Sequence, residues 1–357
     1  MDERSINLAL QGGGAHGAFA WGVLDRLLDE KWLTIASISG TSAGALNGAA
    51  LKAGLSRFPG IRGRMAAREN LDDLWSHVGK MSDNRIIQWM RSLIPMPPDL
   101  GRLTELFSPA AWMEGLTRIF SPYDYGPFYV NPLAMVLRGL PYPNFSNHTG
   151  PELFVTATNV RTGRIRVFTG LAATPDAVMA SACLPNLFRA VEIHDPDTGR
   201  MEAFWDGGYT GNPALFPLYR GGLPRDIVIV NINPLIRDGI PKTPIEIADR
   251  VNEVSFNASL MAELRSINFV KKLHDEGRLT NRPMKNPLIH MILDDNLMND
   301  LNARSKLMPA PGLLQRMKEA GQTAADSFLH EHGSSIGKKD TADLQALFEG
   351  SGVIGLE

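Results

Sequence analysis

Three short stretches of this 357-residue chain carry residue types that could do chemistry. Gly12-Gly13-Gly14-Ala15-His16-Gly17 follows an apolar run, Gly40-Thr41-Ser42-Ala43-Gly44 sets a serine between two glycines, and Trp205-Asp206-Gly207-Gly208 sets a carboxylate before two more. A glycine-rich loop that opens a helix leaves backbone N–H groups pointing outward and can hold an anion. A serine in a G-x-S-x-G pattern sits on a sharp strand-to-helix turn with its hydroxyl exposed, and the helix N-terminus favours negative charge there. Together the first two stretches describe a nucleophile, Ser42, beside an oxyanion hole built from the amides of Gly12, Gly13, Gly14 and Ala15. A serine hydroxyl needs a base to take its proton. Asp206 is the candidate, and with an ordinary pKa of ~3.9 it would depend on desolvation to act as one.

Other readings of these residues stand beside that one. The Gly12–Gly17 stretch also satisfies the G-x-G-x-x-G pattern of a dinucleotide site, which wants an acidic residue at the end of the second strand to hold the ribose. Ile38-Ser39-Gly40 stands there instead, and no Gly-Lys-Ser/Thr follows as a nucleoside triphosphate loop requires. A noncatalytic nucleotide or anion site on the same loop is the rival from another class. Ser42 also has a plain reading as a helix cap, and Asp206 as a simple Asp-Gly turn. Eight histidines (16, 77, 148, 194, 274, 290, 330 and 332) keep a histidine base open. In an α/β-hydrolase, however, the elbow lies further into the sheet than the 28 residues that separate Gly14 from Ser42.

The positioning elements can be read from hydrophobic spacing. Ile6–Leu10 predicts a strand and Ala18–Leu28 a helix; Ile35–Ile38 predicts a second strand broken at Ser39-Gly40, and Ala43–Ala53 a helix ending at Gly54. This β-loop-α-β-loop-α unit makes the two strands parallel, with both loops at the carboxyl ends where open α/β sheets bind ligands. Leu153–Val160 and Arg164–Thr169 predict a hairpin with exposed Arg164 and Arg166. Thr174-Pro175 starts a helix that runs to about Cys183, and Glu202–Trp205 is a strand feeding Asp206. Asp226–Ile232 reads as a strand buried on both faces, Leu288–Leu293 as another, and Leu313–His330 as a helix. Ile245–Leu273 is helical, with apolar residues at 247, 251, 254, 258, 261, 264, 267 and 270 expected to serve as core, a dimer seam or lipid-facing surface being the alternative.

Between Arg57 and about Gly150 the chain turns to short helical patterns broken by prolines. It is rich in aromatic and Met residues, among them Trp75, Trp89, Trp112, Tyr123, Tyr129, Tyr142, Met90, Met96, Phe107 and Phe120. Helix faces packed on the core explain such a composition; a lid lining an acyl-chain pocket is the sharper alternative. The chain has 36 Lys+Arg against 38 Asp+Glu, a net charge of −2, which argues against sequence-independent nucleic-acid binding. Its single cysteine, Cys183, excludes an intramolecular disulfide and multi-cysteine metal sites. Met1–Arg4 shows no signal-peptide pattern, and no apolar run reaches the ~18 residues of a membrane span, so a cytoplasmic protein with at most peripheral membrane contact is expected.

With these motifs in this order, the sequence resembles the patatin-like phospholipases. The glycine-rich loop, the serine elbow and the Asp-Gly-Gly match, as does Ala180-Ser181-Ala182-Cys183-Leu184-Pro185-Asn186-Leu187-Phe188 ahead of the aspartate, over roughly residues 5 to 220. The resemblance implies a three-layer α/β/α fold with a mostly parallel sheet, a Ser42–Asp206 dyad and hydrolysis of lipid acyl esters without metal or cofactor. It makes Gly17, Gly40, Gly44, Gly207 and Gly208 the glycines that shape the loops. His16 stands where the family often has Lys or Arg. The expected organisation is one domain over residues 1–357: core 5–56 and 151–235, helical cap about 57–150, and C-terminal helical extension about 244–357. A soluble esterase or thioesterase is the alternative on the same fold.

Overall fold

The computed structural model describes residues 3–82, 121–138, 149–237, 239–278, 285–301 and 309–349. Its first element, β1 (Arg4–Leu10), alternates between two cores, because successive strand residues face opposite sides of a sheet. Ile6, Leu8 and Leu10 face one core and Ala9 the other. A 3-10 turn at Gly14–Gly17 leads into α1 (Ala18–Leu27), followed by β2 (Leu33–Thr41), α2 (Ala43–Arg57) and α3 (Ile61–Ser82). β1 and β2 are parallel neighbours, as the spacing predicted.

Two boundaries differ from expectation. β2 does not break at Ser39-Gly40, because Gly40 pairs with Leu10 on one side and Val155 on the other and so continues the ladder. α2 does not stop at Gly54; that glycine lies where α2 crosses α3, and a side chain there would collide with the Ala67 backbone. The helix-breaking tendency of glycine yields to packing.

β3 (Glu152–Asn159) and β4 (Ile165–Thr169) form the expected hairpin, and Thr174 caps α4 (Pro175–Ser181) by accepting from Ala177 N at 3.2 Å. Arg166 is not the exposed residue expected of it: it pairs with Asp195 at 2.7 Å and with Asp197, and only a fifth of its side chain meets solvent. Asp195 comes from β5 (Val191–Asp195), which escaped sequence reading and which pairs with β6 (Arg200–Asp206). β7 (Asp226–Val230) is buried throughout, and β8 (Leu288–Ile292) closes that edge. The eight strands are hydrogen-bonded in the order β5-β6-β3-β2-β1-β7-β8, with β4 also on β3.

Helices cover both faces, the three-layer α/β/α arrangement. One core joins α1, α2, α3 and α6 (Pro311–His332) to the sheet. The other seats α5 (Pro244–Asp275) through Leu260, Leu264 and Ile267. The apolar stripe predicted along α5 is core only in its second half. Ile247, Val251 and Val254 are 46, 58 and 54% exposed, while Glu253, Asn257 and Leu260 are buried. Steps of three outnumber steps of four along that stripe, so it drifts around a helix of 3.6 residues per turn rather than following one face. Of the aromatic stretch, Trp75 is packed in the first core on α3. Trp89, Trp112, Tyr142, Met90, Met96, Phe107 and Phe120 lie outside the described residues, so the lid reading is not tested there.

Candidate active site

Ser42 occupies the single residue between β2 and α2. Its φ of 53° is the only positive value among the described non-glycine residues, with ψ at −122°. Such a conformation costs of order 1–3 kcal/mol and persists only where neighbours enforce it. Here they do: the Ser42 N–H donates to Ser181 Oγ at 2.9 Å, and Ser42 O accepts from Ala45 N and Leu46 N as the helix begins. The side chain caps nothing. It is left at the carboxyl end of the sheet, 7% exposed.

Asp206 reaches Ser42 through a property of β3. β4 pairs with residues 154–158 of that strand, overlapping both β2 (152–156) and β6 (157–159). A strand has two edges, so β2 and β6 share the edge that β4 leaves free. Thr41 pairs with Thr156 and Asp206 with Ala157, and the two strands meet end to end. The Asp206 backbone is fixed on both sides: its N–H donates to Cys183 O at 2.8 Å, and its carbonyl accepts from Thr158 Oγ1 at 2.8 Å.

The Asp206 carboxyl is fully buried. Oδ1 accepts from Gly208 N at 2.7 Å, while Oδ2 holds no aligned hydrogen bond. Burial pushes its pKa up to about 7, against the smaller opposing pull of the Gly208 N–H and the facing Ser42 side chain. The nearby Cys183 thiol and Tyr209 phenol are each raised to about 12, chiefly by burial and secondarily by Asp206. A buried carboxyl whose pKa is raised toward neutrality can exchange a proton with a hydroxyl that faces it.

The glycine-rich loop lies against the serine. A Cβ on Gly12 would fall 2.6 Å from Ser42 Cβ and 2.7 Å from Thr41 O, so only glycine fits. The close contacts of Gly17 with Ala43, Gly40 with Gly44, Gly44 with Leu10, Gly207 with Thr156 and Gly208 with Phe256 likewise press the loops together. The amide of Gly12 is already committed, donating to Asn212 Oδ1 at 2.6 Å. The first internal donor of the 3-10 turn is His16, to Gly13 O, which leaves the amides of Gly14 and Ala15 outside the turn's own ladder.

Sequence reasoning missed a shell of buried amides behind this loop. Gln11 Oε1 accepts from Ile232 N and Asn233 N at 2.8 and 2.9 Å, and its Nε2 donates to Asn257 Oδ1 at 2.8 Å. Asn212 and Asn233 both donate to Gly12 O, at 3.2 and 2.9 Å. Each stands in an Asn-Pro pair, a turn signal that said nothing about a partner some 200 residues away. The most buried late histidine, His290, belongs elsewhere, between Asp226 and Thr341 at 3.0 Å from each, on β8 with β1 and β7 between it and β2. Among the described residues no three His, Cys, Asp or Glu side chains converge as a metal site requires, and no helix is long and apolar enough to cross a membrane.

Residues 8–219 match the patatin-like phospholipase family. Among solved structures, VipD from Legionella pneumophila aligns with 93% of this chain and 67% of its own, at 16% identity and a TM-score of 0.39. No curated protein matches. The family match spans well over half of the sequence and contains Ser42, Asp206 and the glycine-rich loop; the chain belongs to the patatin-like phospholipases and is a hydrolase of lipid acyl esters.

Proposed function

We propose that the chain cleaves lipid acyl esters with Ser42 as nucleophile and Asp206 as general base, through an acyl-enzyme. Ser42 Oγ bonds to the ester carbonyl carbon as its proton passes to Asp206, giving a tetrahedral oxyanion held by the amides of Gly13, Gly14 and Ala15. The C–O bond then breaks, and the leaving alcohol takes the proton from Asp206. Water attacks the acyl-Ser42 ester with the same carboxylate as base, releasing the fatty acid and restoring both groups. Gly12, its amide bound to Asn212, serves by close approach rather than as a donor.

The observation that carries this reading is the buried Asp206 carboxyl, raised to about 7, facing a serine held at positive φ. A helix cap needs no such strain and an Asp-Gly turn needs no such burial. Ile236, Ile240, Ile247, Val251 and Val254, between the end of β7 and the middle of α5, are all exposed, which supports a substrate presented at a membrane surface rather than free in water. The decisive experiment treats the protein with a fluorophosphonate ester, which reacts with activated serines, and maps the adduct by mass. A single adduct on Ser42, absent in Ser42→Ala, is expected. A protein that stays unmodified in the presence of detergent or vesicles returns the glycine-rich loop to an anion-binding role.

A further inference from the structure

We infer that Asn212 and Asn233 are positioning residues that aim the Gly13 amide at the developing oxyanion, an inference that rests on the dyad reading above. Both lie behind the loop and neither contacts the reacting atoms; they act on one peptide unit. The Gly12 carbonyl accepts from Asn212 Nδ2 at 3.2 Å and from Asn233 Nδ2 at 2.9 Å, filling both its lone pairs. The Gly12–Gly13 bond is trans, and in a trans peptide the N–H points opposite to the C=O. With its carbonyl held toward the two asparagines, this unit directs the Gly13 N–H away from them, on the loop whose Gly12 touches Ser42 Cβ.

The clamp is itself immobilised. Asn212 and Asn233 are 0 and 1% exposed. Asn212 N donates to Ser259 Oγ at 3.0 Å, and Asn233 N to Gln11 Oε1 at 2.9 Å. Gln11 is tied in turn to Asn257, so α5 braces the loop from behind through Asn257 and Ser259. Without such a clamp a run of three glycines could rotate this peptide freely. Preorganised donors are effective because nothing needs to reorient as charge develops. Asn233 lies beyond the family match at residues 8–219, so the chain's later part completes the site.

The test compares wild type with Asn233→Ala on a soluble p-nitrophenyl ester and on its thionoester, whose sulfur accepts hydrogen bonds poorly. We expect kcat for the oxygen ester to fall about 10–100-fold, the scale of an ångström-sized misplacement, with KM changed by less than about twofold. The preference for the oxygen ester over the thionoester is expected to shrink in parallel, because the misaimed donor serves oxygen. Equal losses on both esters, or no loss, would overturn the inference. Should Asn233→Ala fail to fold, Asn233→Ser carries the same expectation, since its shorter uncharged side chain withdraws the donor from Gly12 O while keeping a polar group in the pocket. Fluorophosphonate labelling of Ser42 in the wild type separates the two failures: labelling with an unchanged ester preference in the variants sinks this inference alone, whereas absent labelling and absent turnover sink the dyad reading and this inference with it.

Discussion

Thr41 and Asp206 end two strands that run toward each other along one edge of β3, opposite the adjacent residues Thr156 and Ala157. One strand is parallel to β3 and the other antiparallel, so their carboxyl ends meet, and the residue directly after Thr41 is Ser42. The pairing of serine and carboxylate is therefore a matter of strand register and does not depend on a flexible loop. A register slip of one residue in either strand would turn the side chain to the opposite face of the sheet.

The first prediction concerns pH. As the proposed base, Asp206 serves only when ionised, and burial raises its pKa to about 7. We expect kcat/KM for a soluble ester to rise about tenfold per pH unit below that point and to level off above it. A profile already flat from pH 5 to 8 would mean that another group, with a different pKa, takes the proton.

Stability should move the other way. Between 3.8 and about 7 the unfolded chain has released the Asp206 proton while the folded chain retains it, so the folded state binds more protons and loses stability as pH rises. Above about 7 the cost is complete, with an upper bound on the order of 4 kcal/mol. Asp206→Asn removes that charge and keeps an oxygen for the Gly208 N–H. It is expected to be inactive and to unfold at higher denaturant than wild type at pH 8, with the gap closing toward pH 4. A variant less stable than wild type at pH 8 would show that the ionised carboxylate is no burden to the fold.

Gly12→Ala tests the approach of the two loops. The new methyl would fall 2.6 Å from Ser42 Cβ, closer than carbon atoms pack, so either loop must withdraw. A loss of about 100-fold in kcat with little change in circular dichroism is expected. Activity within a few-fold of wild type would show that the loop's position against Ser42 is not critical.

Much of this site could be read directly from the chain because its parts are local. A strand ending in a run of glycines, and a second ending in Gly-x-Ser-x-Gly, each announce a tight turn through steric need, and both turns lie where expected. Gly54 and Gly40 misled because packing against α3 and pairing with β1 and β3 are not written in their neighbours. Asn212, Asn233 and Asn257 were silent for the same reason, each acting on a backbone group or side chain 200 to 246 residues distant, and Ser181, though within a stretch that carried the resemblance, gave no sign of its partner, the Ser42 amide 139 residues away. Asp206 was half legible, as a carboxylate in a plausible place, but its raised pKa comes from burial that only the assembled sheet creates.

The exposed face of α5 bears on where the enzyme works. Val251 and Val254 are 58 and 54% exposed on the part of the helix that precedes its core-facing residues. Replacing both with Asp places charge on that face without touching the sheet. Binding to phosphatidylcholine vesicles in a flotation assay is expected to fall by at least about tenfold, the scale of ~1.4 kcal/mol, while hydrolysis of a soluble ester stays near wild type. Unchanged flotation would assign membrane contact to another surface.

The last prediction isolates the strain at Ser42 from its chemistry. Ser42→Ala and Ser42→Gly both delete the proposed nucleophile, and both are expected to be inactive and unlabelled by a fluorophosphonate. They differ at the backbone. Alanine must still adopt φ 53° and ψ −122°, a conformation that a Cβ disfavours by of order 1–3 kcal/mol, whereas glycine adopts it with little cost. Against this, glycine gives the unfolded chain more freedom, worth roughly 0.5–1 kcal/mol in the opposite direction. The balance favours the glycine variant by about 1 kcal/mol, measurable as a higher denaturation midpoint at equal slope. The reverse order would mean that the turn relaxes once the hydroxyl is gone, and hence that the serine itself, through its side chain facing Asp206, holds the backbone in this conformation.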